Sequence, residues 1–141
     1  IQLDAIEYAA TLFEWAIYAQ ARGELIQSES DHRKAYVEAI RVDYPELRYS
    51  IDASYAALLW KLGEEQKARE RTNSLRDLLL TPNLSLESAC LRSELLARLA
   101  SAQLVAVEGG QGSAEDALKL LSSALHHYQA DHCSKTRHLS H

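Results

Sequence analysis

Apolar side chains recur at helical spacing in six runs along the chain. In the first, residues 1–22, Ile6, Ala9, Phe13, Ala16 and Ile17 form one face, and Leu12, Trp15 and Ala19 add a second. The remaining polar stripe, Asp4, Glu7, Thr11 and Glu14, is narrow, which predicts a helix packed on most of its circumference. Gly23 ends this run. Ser28, with Asp31 three residues later, predicts the cap of a second helix over about 29–43, with Ala35, Tyr36, Ala39 and Ile40 as its apolar stripe. Pro45 closes it, because the residue before a proline is pushed out of helical geometry. A third helix, about 46–62, carries Leu47, Ile51, Tyr55, Leu58, Leu59 and Leu62, and Gly63 follows. The fourth, about 64–80, is sharply two-faced: Ala68, Thr72, Leu75, Leu78 and Leu79 oppose Glu65, Arg69, Arg76 and Asp77, and Thr81-Pro82 ends it. The fifth, about 85–108, is apolar on most sides and is expected to be the most buried, with Glu94 and Arg98 paired at i, i+4 on its wetter stripe. Ser113 and Asp116 form a capping box for a sixth helix bearing Ala117, Leu118, Leu121, Ala124, Leu125 and Tyr128. After Ala130 the periodicity stops, and residues 131–141 read as a flexible polar tail.

Glycine and proline fall between these runs rather than inside them, so Gly63 reads as a hinge between antiparallel helices. Six helices with such breaks give three hairpins, about 1–44, 45–82 and 83–130, in one all-α domain spanning 1–130. The segment "LWKLGEEQKARERTNSLRDLLLTPN" resembles the tetratricopeptide repeat. In that pattern a Leu-Gly pair ends the first helix, an alanine five residues after the glycine allows close helix contact, and a proline closes the unit; Leu62, Gly63, Ala68 and Pro82 match it. "SAEDALKLLSSALHHY" is similar to the second helix of such a unit through Ala117, Leu121, Ala124 and Leu125, and "AQARG" with "AYVEAIRVDYP" supplies a looser likeness in the first hairpin. The resemblance implies a right-handed superhelix whose first helices line a concave groove for a partner peptide or helix. Matching positions counted back from Gly63 are Ala53, Ala57, Trp60 and Lys61, and from Gly23 they are Phe13, Ile17 and Gln20. Trp60 is either a peptide anchor or a core residue. Lys61 is the one cation matching the set with which some members of the family hold a terminal carboxylate. The alternative architecture is an ordinary helical bundle, since Ala and Leu at this spacing fill any helix seam.

Charge narrows the partners. A net charge of −5 without a basic cluster removes the footprint of a nucleic-acid or anionic-membrane binder. No apolar stretch approaches the roughly 20 residues that span a bilayer, and no signal-like start is present, so the expected setting is intracellular, in the cytoplasm. Cys90, in a helical pattern, and Cys133, in the tail, have no motif spacing and give no indication of a disulfide framework. A chain that starts with Ile and contains no Met reads as a segment of something longer.

Candidate chemistry is thin. His126, His127, His132, Cys133, His138 and His141 are zinc-ligand types at poor spacing, and no metal or cofactor is expected. "GGQGS" before a helix has the look of an anion cradle, but the Lys-Ser/Thr of a P-loop is missing and Glu115-Asp116 place negative charge there, leaving a flexible connection. No glycine-framed serine, His-Glu-x-x-His or Cys-x-x-Cys occurs, and the carboxylate pairs sit at helix starts where the dipole accounts for them, so no catalysis is expected. The chain reads as a non-catalytic protein-interaction module. The alternatives are a helical sensor domain with an internal small-molecule pocket, or a structural or oligomerising stretch of a longer solenoid.

Overall fold

The computed structural model describes residues 2–82, 84–86, 88 and 90–133. Among them are six helices and no strand: α1 (Gln2–Ala21), α2 (Leu25–Arg41), α3 (Pro45–Lys61), α4 (Glu65–Leu79), α5 (Leu91–Glu108) and α6 (Ala114–Ala130). Gly63 is a hinge. At φ +76° it donates its N–H to the Trp60 carbonyl (3.1 Å), while the Glu64 N–H reaches back to the Leu59 carbonyl (3.0 Å). This pair of bonds satisfies carbonyls left over at a helix end and needs one left-handed residue between them. A side chain at Gly63 would meet nothing within 4 Å, so backbone conformation, not space, selects glycine there. The same two bonds close α1 around Gly23, and they close α2 around Asp43 at φ 53°, a conformation that aspartate tolerates better than most residues. Pro45 then starts α3 with its fixed φ, and the Tyr44 before it is extended. Such short reversals make α1/α2 and α3/α4 antiparallel pairs, and α5/α6 pack as extensively as α1/α2.

Several boundaries differ from the sequence pattern for physical reasons. Because the Gly23 reversal is complete within two residues, α2 starts at Leu25, and Ser28 lies inside it. The Ser28 hydroxyl donates to the Ala16 carbonyl (2.7 Å) and ties α2 to α1 instead of capping, while Asp31 accepts from Gln27 Nε2 (3.0 Å). α5 starts at Leu91 rather than near Ser85, because Leu84 and Leu86 reach the core from non-helical backbone. Glu94 and Arg98 form no ion pair among the described residues; both are exposed. The Ser113 cap is present, its hydroxyl oxygen accepting from the Asp116 N–H (3.3 Å).

α3, not α5, is the most buried helix, with nine buried residues against seven, because it packs on α2, α4 and α5 and touches α1. The main core joins Tyr49, Ala53 and Ala56 of α3 to Leu75 and Leu79, to Leu95, Leu96 and Leu99, and to Leu120 and Ala124. Ala68 and Ala117, the small residues of the repeat-like pattern, are fully buried. The two end helices are only half covered. Tyr8, Trp15, Ile17 and Tyr18 of α1 are exposed, so among the described residues that helix does not pack on most of its circumference, and α6 leaves Leu118, Leu121 and Leu125 exposed.

The cysteines overturn a further expectation. Cys90 and Cys133 form a disulfide with Cα atoms 5.5 Å apart, which ties the residue before α5 to the segment after α6. Spacing gives no hint of this pair, because the antiparallel return of α6 along α5 brings the two cysteines together. Cys133 is fully buried, and Asp131 lies 3.8 Å from Arg92, so the chain is held as far as Cys133; residues 134–141 of the expected tail lie outside the described residues.

Candidate functional site

A cleft of about 450 Å³ opens where α3 faces α5 and the end of α1. Gln20, Ala53, Ala57, Trp60 and Lys61 line it, five positions that the sequence places on the groove. Phe13 and Ile17 do not. Phe13 turns inward, its ring edge-on to His32 (centroids 6.1 Å apart), and packs against the cluster of Ala35, Ala39 and Ile51; Ile17 is exposed beyond the cleft. α1 touches α3 only lightly, so only its C-terminal Gln20 reaches the opening. Trp60 is a core residue, 3% exposed, that turns one edge to the cleft and packs with Tyr55, Leu59, Ala68 and Ala106.

The opposite wall comes from α5 and the loop after it: Arg98, Ala102, Val105, Ala106, Gly109 and Gln111. Three residues before Gly63 lies Trp60, six before lies Ala57, and ten before lies Ala53; counted back from Gly112, the same spacing reaches Gly109, Ala106 and Ala102. That signal exists in the sequence but is ambiguous, because Gly109, Gly110 and Gly112 offer three origins for the count. The loop is also built in rather than a loose connection. Gln111 Nε2 donates to the Trp60 carbonyl (3.4 Å) and the Gly112 N–H to Glu65 Oε2 (3.3 Å), so a protein carboxylate already takes the N–H that an anion cradle would offer.

The electrostatics of the cleft are one-sided. Among the described residues its charged lining is Lys61 and Arg98, both exposed, and neither has an ion-pair partner there. Between them lie Ala53, Ala57, Ala102, Val105 and Ala106, with Ser54 and Ser101 among them. Trp60 Nε1 and Gln111 Oε1 are buried without hydrogen-bond partners, a donor and an acceptor left over in the same wall.

Behind the cleft runs a polar spine. His32 is fully buried, with Nδ1 2.8 Å from the Ser28 carbonyl and Nε2 2.8 Å from the Ser54 hydroxyl oxygen. A carbonyl can only accept, so Nδ1 carries the proton and Nε2 accepts from Ser54. Ser54 lines the cleft, yet it sits in mid-helix, where the neighbouring N–H groups belong to the helical ladder and offer no oxyanion site. The contact fastens α2 to α3. On the far side Arg71 lies 2.5 Å from Asp52 and is stacked between Tyr36 and Tyr55, 4.9 and 4.3 Å from their centroids. Burial pushes the Asp52 carboxyl up in pKa, against the pull of the Arg71 guanidinium.

Burial also pushes the His32 pKa below its ordinary 6.5, with the Ser28 carbonyl and the Asp31 carboxylate opposing and Arg71 reinforcing the shift. Below 6.5 the unfolded chain therefore holds more protons than the folded one, and stability falls as the pH drops through the window between 6.5 and the lowered folded value. Thermal melts between about pH 7.5 and 5.5 should show this fall, and His32→Gln should remove most of it. His127, which burial, Arg92 and His126 lower in pKa, adds to the fall, whereas Asp52, whose carboxyl burial raises, works against it toward the acid end.

No group of His, Cys, Asp and Glu among the described residues is placed to hold a metal; Cys133 is engaged in the disulfide, and His138 and His141 lie outside the described residues. No helix of the described residues is long and apolar enough to cross a membrane. Comparison with protein-family models, with curated proteins and with solved structures finds no match to this chain.

Proposed function

We propose that the chain is a non-catalytic interaction module, a divergent tetratricopeptide-like superhelix of three hairpins that holds a segment of another protein in the α3/α5 cleft. The observation that carries this reading is the pairing of an apolar floor with Lys61 and Arg98, two cations lacking ion-pair partners among the described residues, in a chain whose net charge is −5. Such a surface fits a helical or extended peptide that sets carboxylates beside small apolar side chains, with charge governing choice and encounter rate more than strength. The repeated glycine reversals and the fully buried Ala68 and Ala117 support the repeat-like arrangement. Exposed Leu118, Leu121 and Leu125 on α6 fit a place within a longer solenoid acting as a scaffold in complex assembly.

An acidic chain has no use as a nucleic-acid or anionic-membrane partner, and the groove asks for no cofactor. A disulfide persists where thiols are not kept reduced, so the Cys90–Cys133 bond favours an oxidising setting over the cytoplasm that the sequence suggests. A second reading, a sensor for a small apolar carboxylate, is favoured by the cleft volume of about 450 Å³, which falls in the range of small-molecule sites.

Selection of a random peptide library on the intact chain should enrich acidic sequences with small apolar residues. The double variant Lys61→Glu, Arg98→Glu should lose them by about tenfold or more while melting as the parent does, because both side chains are exposed. Peptides that bind parent and double variant alike, or enrichment of basic sequences that depends on these two positions, would contradict the proposal. Saturable binding of a fatty or aromatic acid with no peptide enriched would favour the sensor.

A further inference from the structure

On α1, Trp15 and Tyr18 stand one turn apart and are 66% and 62% exposed, an unusual investment of aromatic surface in water. They border a cleft of about 620 Å³ at the α1/α2 seam, together with Glu14, Glu24 and Asp31, and among the described residues no Lys or Arg lines it. The rest of α1 continues this sign. Gln2–Ala21 contains Asp4, Glu7 and Glu14 and no basic residue, and none of these three carboxylates has an ion-pair partner among the described residues.

The chain itself shows what such a surface accepts. The Arg22 guanidinium lies 5.4 Å from the Tyr18 ring centroid, its Nη1 donates to the Tyr18 hydroxyl (3.3 Å), and its Nε is 3.4 Å from Glu24. A planar cation on an aromatic face with a carboxylate alongside is thus realised once at the rim, whereas Trp15 and Glu14 line the same cleft and no cation lies over the Trp15 ring among the described residues.

We propose that the α1/α2 seam is a second docking surface, separate from the α3/α5 groove, and that its occupant is an arginine-bearing segment of a partner protein. A guanidinium stacks on Trp15 and pairs with Glu14, and the apolar stem of the arginine covers the indole. Polyanions and anionic membranes are repelled by the same carboxylates. The two surfaces are opposite in sign, so one partner segment does not satisfy both.

The test titrates the intact chain into a fluorescein-labelled, alanine-based peptide bearing arginines, with lysine and glutamate versions as controls, and reads anisotropy. With the cationic cleft removed by Lys61→Glu and Arg98→Glu, the arginine peptide should bind best and the glutamate peptide not at all; on the parent the glutamate peptide reports the α3/α5 cleft instead. Trp15→Ala and Glu14→Lys should each weaken binding by about tenfold or more with unchanged melting curves, and added salt should weaken it further. Lys61→Glu with Arg98→Glu should leave it unchanged, so failure here and failure of the groove are read separately. Binding of the arginine peptide within about twofold of the parent in Trp15→Ala, no binding by the parent, or equal binding of the glutamate peptide by the Lys61→Glu, Arg98→Glu variant would overturn the proposal. A dimer in sedimentation that Trp15→Ala dissociates would overturn it too, assigning the surface to a second copy.

Discussion

Trp60→Ala should cost about 3 kcal/mol of stability, near the lower end of what removing a buried indole costs. The indole is 97% withdrawn from solvent by the 3% exposure of Trp60 and is wedged among Tyr55, Leu59, Ala68 and Ala106, where neighbouring helices cannot collapse to fill the space. Gly112 confirms how tight the wall is: a β-carbon there would lie 3.3 Å from the Trp60 ring. The loss is not larger because Nε1 has no hydrogen-bond partner, and deleting a stranded donor returns about 1 kcal/mol or more. Trp60→Phe separates the two contributions. It keeps most of the ring and removes the orphaned N–H, so it should unfold within about 1 kcal/mol of the parent in urea. A Trp60→Phe variant as unstable as Trp60→Ala would mean that the N–H has a partner and that the wall is organised differently.

Reduction of the Cys90–Cys133 disulfide should lower stability by about 2–4 kcal/mol, because the link closes a loop of sequence separation 43 and removes that much freedom from the unfolded chain. The folded contacts change little. Urea midpoints measured with and without reductant should differ accordingly, and Cys90→Ser with Cys133→Ser should match the reduced parent and ignore reductant. Cys133 is fully buried, so the reductant must act on transiently open chains, and the shift should develop slowly at low urea. Midpoints that coincide with and without reductant would show that the two cysteines are not bonded in the protein.

Helix number and order were legible in the sequence, because glycine and proline stand between the apolar runs and each break has one local cause. Gly63 could be read as a hinge from its place after Leu62 alone. The start of α2 was not legible, because Ser28 is a good capping residue and nothing local reveals that the Gly23 reversal has already begun the helix and that the Ser28 hydroxyl bonds across to Ala16. The start of α5 was hidden for a different reason: Leu84 and Leu86 look like helical core residues and are used as core from non-helical backbone. In the cleft, positions on α3 followed from spacing to Gly63, and Gln20 followed from Gly23. Phe13 and Ile17 failed because that spacing assumes helices running alongside one another, whereas α1 meets α3 only lightly. The i, i+4 spacing pairs Arg98 with Glu94, whereas its place in the cleft with Lys61 depends on tertiary packing that a helical-wheel argument does not contain.

If the α3/α5 cleft is the partner surface, as we propose, backbone amide shifts in the intact chain will locate it. Titration with an acidic peptide selected on the parent should move the amides of Ala53, Ala57, Lys61, Arg98, Ala102 and Val105 together, with one affinity. Shifts gathered instead around Tyr36, Lys67 and Ser74, which border the polar cavity on the other face, or no saturable shift at all, would contradict it.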